Sequence, residues 1–248
     1  MDCERLCTLG RGAVDWPGKM AKISVVVPAH NEEEELPVCL SALGRQDIGD
    51  FELIVVDSAS TDSTAEVARE YGAHVVRVDT PGVARARQAG FTAASGEIVA
   101  STDADAVPPP DWLSRLTAPF SDSGVVGTFG TLELRDGPRR LALMSWLFTL
   151  FQQINFRLAR PLFCGPNFAV RKKAFQVVSG FSGRSGFPTE AEDVILAMKL
   201  RREGRIVFLP KLAMPVSARR LRGMAGLRYV AHHAGVYLRV CWLGGWHG

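Results

Sequence analysis

The strongest constraint on how this chain can fold is a regular alternation across its first hundred or so residues. Four short runs, Ile23 to Pro28, Phe51 to Asp57, His74 to Val78 and Glu97 to Ser101, are rich in valine and isoleucine. All four read as strands, and the first, a β-branched run closed by proline, as a buried parallel one. The segments between them have helical character. Asn31 is expected to cap a helix whose first turn, Glu32 to Glu35, places carboxylates at the positive end of the helix dipole. Ser60-Thr61-Asp62 offers caps for a second helix ending near Tyr71-Gly72, and Gly82 to Ala94 reads as a third. Strands alternating with helices over short connections specify a mostly parallel wound sheet flanked by helices, with right-handed crossovers. The fold class is therefore α/β.

The fourth strand runs directly into Thr102-Asp103-Ala104-Asp105. If the strand ends there, two carboxylates one residue apart share a direction at the carboxyl edge of the sheet, where open α/β folds bind ligands. Like charges held close are costly unless a cation lies between them. Two carboxylates plus phosphate oxygens are a usual way to hold Mg²⁺ or Mn²⁺. The other strand ends are polar too. The first closes in Pro28-Ala29-His30-Asn31-Glu32, and the second in Asp57-Ser58-Ala59-Ser60-Thr61-Asp62. A carboxylate fixed at a strand end is acceptor-only and suits a base or ribose, although helix capping is the competing role for Asp62.

Together these segments resemble the family 2 glycosyltransferases. The resemblance rests on Val25 to Glu32, Val55 to Asp62, Gly82 to Gly90 with Arg87, Asp103-Ala104-Asp105, Gly165-Pro166-Asn167-Phe168-Ala169-Val170-Arg171, and Glu192-Asp193. It covers roughly residues 22–220, with Gln88 in place of a frequent Asn and Ser58-Ala59-Ser60 in place of a more usual turn. It implies a GT-A type nucleotide-sugar-binding fold and an inverting transfer from a nucleotide-diphosphate sugar. By the same resemblance Pro28, His30 and Glu32 line the base and ribose pocket, and Asp57 accepts from the base. Arg87 lies near the nucleotide, Asp103 near the ribose, and Asp105, with Asp103, on the divalent cation that bridges the diphosphate. Asp193 is the resembling position for the general base, and Glu192 for a group that positions it or the acceptor. Arg219-Arg220 resemble a basic element against the diphosphate. No Gln-x-x-Arg-Trp element of the processive synthases is present, which favours single transfers. A sugar nucleotidyltransferase, the competing enzyme class, needs a glycine-rich loop after the first strand, and Ala29 to Glu32 contains no glycine. A non-catalytic nucleotide-sugar-binding subunit is the third reading, and the intact Asp103, Asp105 and Asp193 argue against it.

The second half is less regular. Asp111 to Phe120 is expected as a helix, Val125 to Phe129 as a strand, Asn167 to Val170 as a strand, Ala191 to Arg202 as a helix and Ile206 to Leu209 as a strand. This divides the chain into a leader (1–21), a transferase domain (22–220, with a nucleotide-binding half 22–107 and an acceptor half 108–220) and a basic amphipathic tail (221–248). The glycine-rich stretch Gly180 to Gly186 is a candidate lid over the acceptor. Leu141 to Leu158 carries Trp146, Phe148, Phe151 and Phe156. It is short of the ~20 apolar residues that span a bilayer. Two readings stand: a core or capping helix, and a helix lying on a membrane surface.

Charge is unevenly spread. Residues 1–80 hold fifteen acidic and seven basic side chains, whereas residues 199–248 hold ten Lys or Arg against Glu203 alone. A basic end suits phosphate-rich ligands or an anionic membrane surface, so a lipid-linked acceptor and peripheral membrane attachment are expected, with no nucleic-acid partner. The five cysteines show no disulfide spacing, which suits a reducing cytoplasm; Cys3 and Cys7 lack partners for a metal site. His232-His233, also without acidic or Cys neighbours, read as structural.

Overall fold

The computed structural model describes residues 23–136, 140–181, 191–219 and 235–237. The leader, residues 182–186 of the candidate lid, Arg220, the His232-His233 pair and nearly all of the tail lie outside these. The described chain forms a seven-stranded sheet flanked by helices. Strands β1 (Ile23–Ala29), β2 (Glu52–Ser58), β3 (His74–Val78) and β4 (Ile98–Ser101) are followed by β5 (Val125–Leu134), β6 (Phe168–Arg171) and β7 (Arg205–Val216). Their order is β3-β2-β1-β4-β6-β5-β7. Only β6 runs against its neighbours, pairing antiparallel with both β4 and β5; the remaining pairs are parallel.

β1 sits between β2 and β4, and its Val25, Val26 and Val27 are fully buried. The apolar run is therefore continuous rather than alternating, as a strand covered on both faces requires. Pro28 lies within β1 opposite Val56 of β2, whereas the β4 ladder has ended at Val26↔Ser101. The missing proline N–H is tolerated because nothing beyond that point needs it. One face is covered by α1 (Leu36–Leu43), α2 (Thr64–Glu70) and α4 (Trp112–Thr117). The other is covered by α3 (Val83–Ala93), α6 (Lys172–Val177) and α7 (Glu192–Leu200). Helix α3 reaches the sheet through Gly90, where a Cβ would come within 2.4 Å of a Val26 methyl and 2.8 Å of a Val56 methyl. Phe91, Phe168, Phe175 and Phe181 then pack as an aromatic cluster beneath it.

Three departures from the sequence expectation have physical causes. Helix α1 begins at Leu36, beside Pro37, and not at Glu32. Asn31 takes φ 53° and accepts from the Thr61 amide at 2.9 Å, so it ties the end of β1 to the end of β2 and caps nothing of its own. Asp62 does serve the start of α2, accepting from the Thr64 amide at 3.0 Å. β5 and β7 run longer than expected, through two register irregularities that let the pair continue. Pro210 and Pro215 hid that continuation in the sequence, but β7 is an edge strand, where proline is accommodated. The apolar segment of the second half forms α5 (Arg140–Arg157), packed on β5. Its most deeply buried side chains are Gln152 and Asn155, and its Phe156 packs on the core beside Phe129 and Phe208.

Candidate active site

The topology brings four chain segments to one sheet edge. The carboxyl ends of β1, β2 and β4 lie there, and reversal of β6 puts Gly165-Pro166-Asn167 there too, since Phe168 pairs with Ser101. The end of β7 joins them through the Ala106↔Val216 bridge and the Ser217 amide, which donates to the Asp105 carbonyl at 3.2 Å.

Arg87, in α3, is 3% exposed and does not open on solvent. Its Nη2 donates to Asp103 Oδ1 at 2.6 Å and its Nη1 to Glu192 Oε1 at 2.5 Å. The guanidinium therefore joins the strand end that carries Asp103 to the first turn of α7. Its place exists because residue 165 is glycine: a Cβ there would lie 2.3 Å from Arg87 Nη2. Burial alone would lower the Arg87 pKa, but the carboxylates of Asp103, Glu192 and Asp193 outweigh it and raise the pKa, so the group stays cationic.

Asp193 is 6% exposed and its Oδ1 accepts from the Val194 amide at 2.8 Å. Burial pushes its carboxyl up to about 7, with the neighbouring Glu192 charge adding to the rise and Arg87 opposing it. Burial raises Glu192 as well, against the pull of Arg87. A carboxylate that changes protonation near neutrality suits a general base. The two described cysteines, Cys39 and Cys164, are buried, and burial holds both thiols above their ordinary range, so neither is a nucleophile.

On the other side of the edge, Arg219 Nη2 pairs with both carboxylate oxygens of Glu32 and lies 3.7 Å from Asp105 Oδ2. Glu32, expected at the base or ribose, thus faces Asp105 across an arginine. Asp57 is 1% exposed; its Oδ1 accepts from the Ser60 amide at 3.0 Å, and Arg77 Nη1 lies 3.4 Å from its Oδ2, which has no hydrogen-bond partner. His30 is exposed, and its Nδ1 carries the proton it donates to the Ser58 carbonyl at 2.7 Å. The expected pair Asp103 and Asp105 have different side-chain partners: Asp103 is held by Arg87, and Asp105 faces Arg219. The cause is that β4 ends at Ser101, so the strand alternation that would align them has already stopped. Among the described residues no three His, Cys, Asp or Glu side chains cluster as a ready metal cage. Asp105 nevertheless fits a cation that takes its other ligands from a diphosphate and water, since Arg219 already places positive charge between Asp105 and Glu32.

Two residues organise the site without having been singled out for it. Asn167 donates from Nδ2 to the Thr131 and Leu212 carbonyls, both at 2.8 Å, and accepts from Trp112 Nε1 at 2.9 Å, which pins the β5–β6–β7 end of the edge. Gln88 accepts at Oε1 from the Phe181 amide at 2.8 Å and so anchors the entry to the glycine-rich stretch. The signal was available for Asn167, an amide inside an otherwise apolar run. Gln88 carried none beyond its position next to Arg87.

Comparison with known proteins points the same way. Residues 24–178 match the family model described as Glycosyl transferase family 2. An uncharacterized glycosyltransferase of Mycobacterium tuberculosis is 33% identical over 177 residues, covering 68% of this chain and 76% of that protein. The undecaprenyl-phosphate 4-deoxy-4-formamido-L-arabinose transferase of Yersinia enterocolitica is 35% identical over 121 residues, 44% of this chain and 37% of that protein. The chain spans well under half the length of several curated relatives it matches. Among solved structures, the mannosyltransferase PcManGT of Pyrobaculum calidifontis, in complex with GDP-Man and Mn²⁺, superposes with a TM-score of 0.65 at 24% identity. That match covers 91% of this chain and 65% of that one. At that identity it shows the fold alone, a GT-A architecture.

Proposed function

Because the chain belongs to glycosyl transferase family 2, we propose that it is an inverting, single-transfer enzyme that moves a sugar from a nucleotide-diphosphate donor to a lipid-linked acceptor. The observation that supports this is the Arg87 bridge, which holds Asp103 and Glu192, the neighbour of Asp193, about one cation, so that Asp103 would face the donor. Asp193 then serves as the base. It takes the proton from the acceptor hydroxyl as that oxygen attacks the anomeric carbon from the face opposite the leaving diphosphate. The anomeric C–O bond to the diphosphate breaks, and its electron pair leaves with the nucleotide. Glu192, held by Arg87, positions the base rather than exchanging a proton itself.

The donor's base would meet the ends of β1 and β2. Asp57 Oδ2 offers an acceptor to a base N–H, and His30 and Pro28 flank it. Glu32 and Arg219, paired with each other, would lie on the diphosphate side, with Arg220 next in sequence. Asp105, with Asp103 nearby, would hold Mg²⁺ or Mn²⁺, whose chemistry is to neutralise charge on the departing diphosphate. Two relatives support parts of this: the neighbour of like fold is in complex with Mn²⁺, and one relative's name specifies an undecaprenyl-phosphate.

The test is a thermal-shift screen of UDP-, GDP- and dTDP-sugars with and without Mn²⁺. A ligand that binds only the folded state raises its apparent stability. One donor class should raise the melting temperature, and more so with Mn²⁺. If no nucleotide sugar shifts it, the donor site is misassigned.

A further inference from the structure

Helix α5 turns an apolar stripe outward, while Phe151 and Phe156 pack inward beside a row of polar side chains. Around its axis, the side chains directed at the protein include Ser145, Thr149, Gln152 and Asn155. Thr149 hydrogen-bonds Thr131 at 2.6 Å, and Ser145 Oγ accepts from the Leu134 amide at 3.3 Å. Gln152, fully buried, donates to the Leu162 carbonyl at 3.1 Å. The outward side carries Leu143, Trp146, Leu147, Leu150 and Ile154, between 38% and 59% exposed, with Leu158 just beyond the helix end. The spacing 143, 147, 150, 154 is that of one continuous helical stripe. A water-facing helix has its polar and apolar faces the other way round.

The charge around the stripe says what covers it. From Gly137 to Thr189 the sequence holds no Asp or Glu, while Arg139, Arg140, Arg157 and Arg160 stand in sequence at or next to the two ends of the helix. An apolar stripe with an exposed tryptophan, bordered by arginines and free of acids, is the pattern of a helix lying in a lipid interface with anionic headgroups. No helix among the described residues is long and apolar enough to cross a membrane, so the contact is a surface one. We propose that the outward face of α5 docks the enzyme on an anionic bilayer, with Trp146, Leu147 and Leu150 in the interface.

The helix's position gives this docking a purpose. Phe151 of α5 packs with Leu162 and with Ala191, Val194 and Ile195, the residues around Asp193 at the start of α7. A bilayer under α5 would therefore lie on the acceptor side of the site and present a lipid-linked acceptor there. That last step rests on the function proposed above; the docking itself does not.

The test is flotation of the full chain with vesicles of phosphatidylcholine alone and with phosphatidylglycerol added, beside the variant L147E/L150E. These positions are exposed, so the fold is expected to hold, with far-UV circular dichroism and the donor-induced thermal shift as controls. The wild type should float with the anionic vesicles, and the variant's bound fraction should fall at least tenfold. The basic tail is a second route to vesicles, so tryptophan quenching by brominated lipids separates the two. Quenching should be present in the wild type and clearly reduced in Trp146→Phe. Equal flotation of wild type and variant, unchanged quenching in Trp146→Phe, or a wild-type dimer that the variant dissociates without any vesicle binding would each overturn the proposal. A variant that loses vesicles yet keeps its donor shift would leave the donor site untouched, so the two readings fail separately.

Discussion

Arg87 of α3 and Glu192 of α7, 105 positions apart in sequence, meet in a buried 2.5 Å ion pair that fixes one half of the site against the other. Removing one partner of such a pair strands the other charge away from water, at a cost of about 3–5 kcal/mol. Arg87→Met strands both Asp103 and Glu192, so urea unfolding should show a loss of about that size. Glu192→Gln should lose less, because Arg87 retains Asp103. Gly165→Ala should mimic Arg87→Met in direction, since its Cβ collides with the guanidinium, whereas Gly49→Ala, with nothing within 4 Å, should be near neutral.

The raised pKa of Asp193 predicts a pH dependence of stability in the donor-free protein. Its ordinary carboxyl value is 3.8, and in the fold it rises to about 7. Between those values the folded state binds the proton and the unfolded state does not, so stability falls as pH rises through that window. Glu192, raised by burial too, adds to the same trend. Asp193→Asn removes the larger contribution. Urea midpoints measured from pH 4 to 7.5 should decline for the wild type and decline less for Asp193→Asn; parallel curves would show that Asp193 is ionised throughout.

Arg219 stands between Glu32 and Asp105, where a divalent cation would compete with it. Arg219→Met should therefore tighten the binding of Mn²⁺ alone, several-fold by calorimetry, while weakening a nucleotide sugar that needs the guanidinium for its phosphates. Unchanged Mn²⁺ affinity would mean that the arginine and the metal use different places.

The first half of the chain was legible because its determinants are local. Buried parallel strands need unbroken β-branched runs, and Val25 to Val27 and Leu53 to Val56 supply them. The wound sheet follows from that alternation alone. The second half was read less well because its determinants are long-range. β7 passes through two prolines that only an edge position tolerates, and α6 carries no distinctive signal at all. At the site, the residue types were visible but their partners were not. Asp103 and Asp105 look like a pair in sequence, yet their partners are Arg87 and Arg219, one in α3 and the other just past β7. The outward apolar stripe of α5 was equally hidden, since an apolar segment with a few amides does not reveal which face is turned inward.

The most direct test of the proposed chemistry compares the wild type, Asp193→Asn and Asp105→Asn in one assay. Release of nucleoside diphosphate would be followed with the donor found in the thermal-shift screen, Mn²⁺ and a membrane lipid extract as the source of acceptor. Asp193→Asn should keep the wild-type donor-induced thermal shift and slow release by about 10²–10⁴-fold, the usual worth of a general base. Asp105→Asn should lose the Mn²⁺-dependent part of both binding and release. Wild-type turnover in Asp193→Asn would contradict the assignment of the base, and with it the mechanism built on the Arg87 bridge.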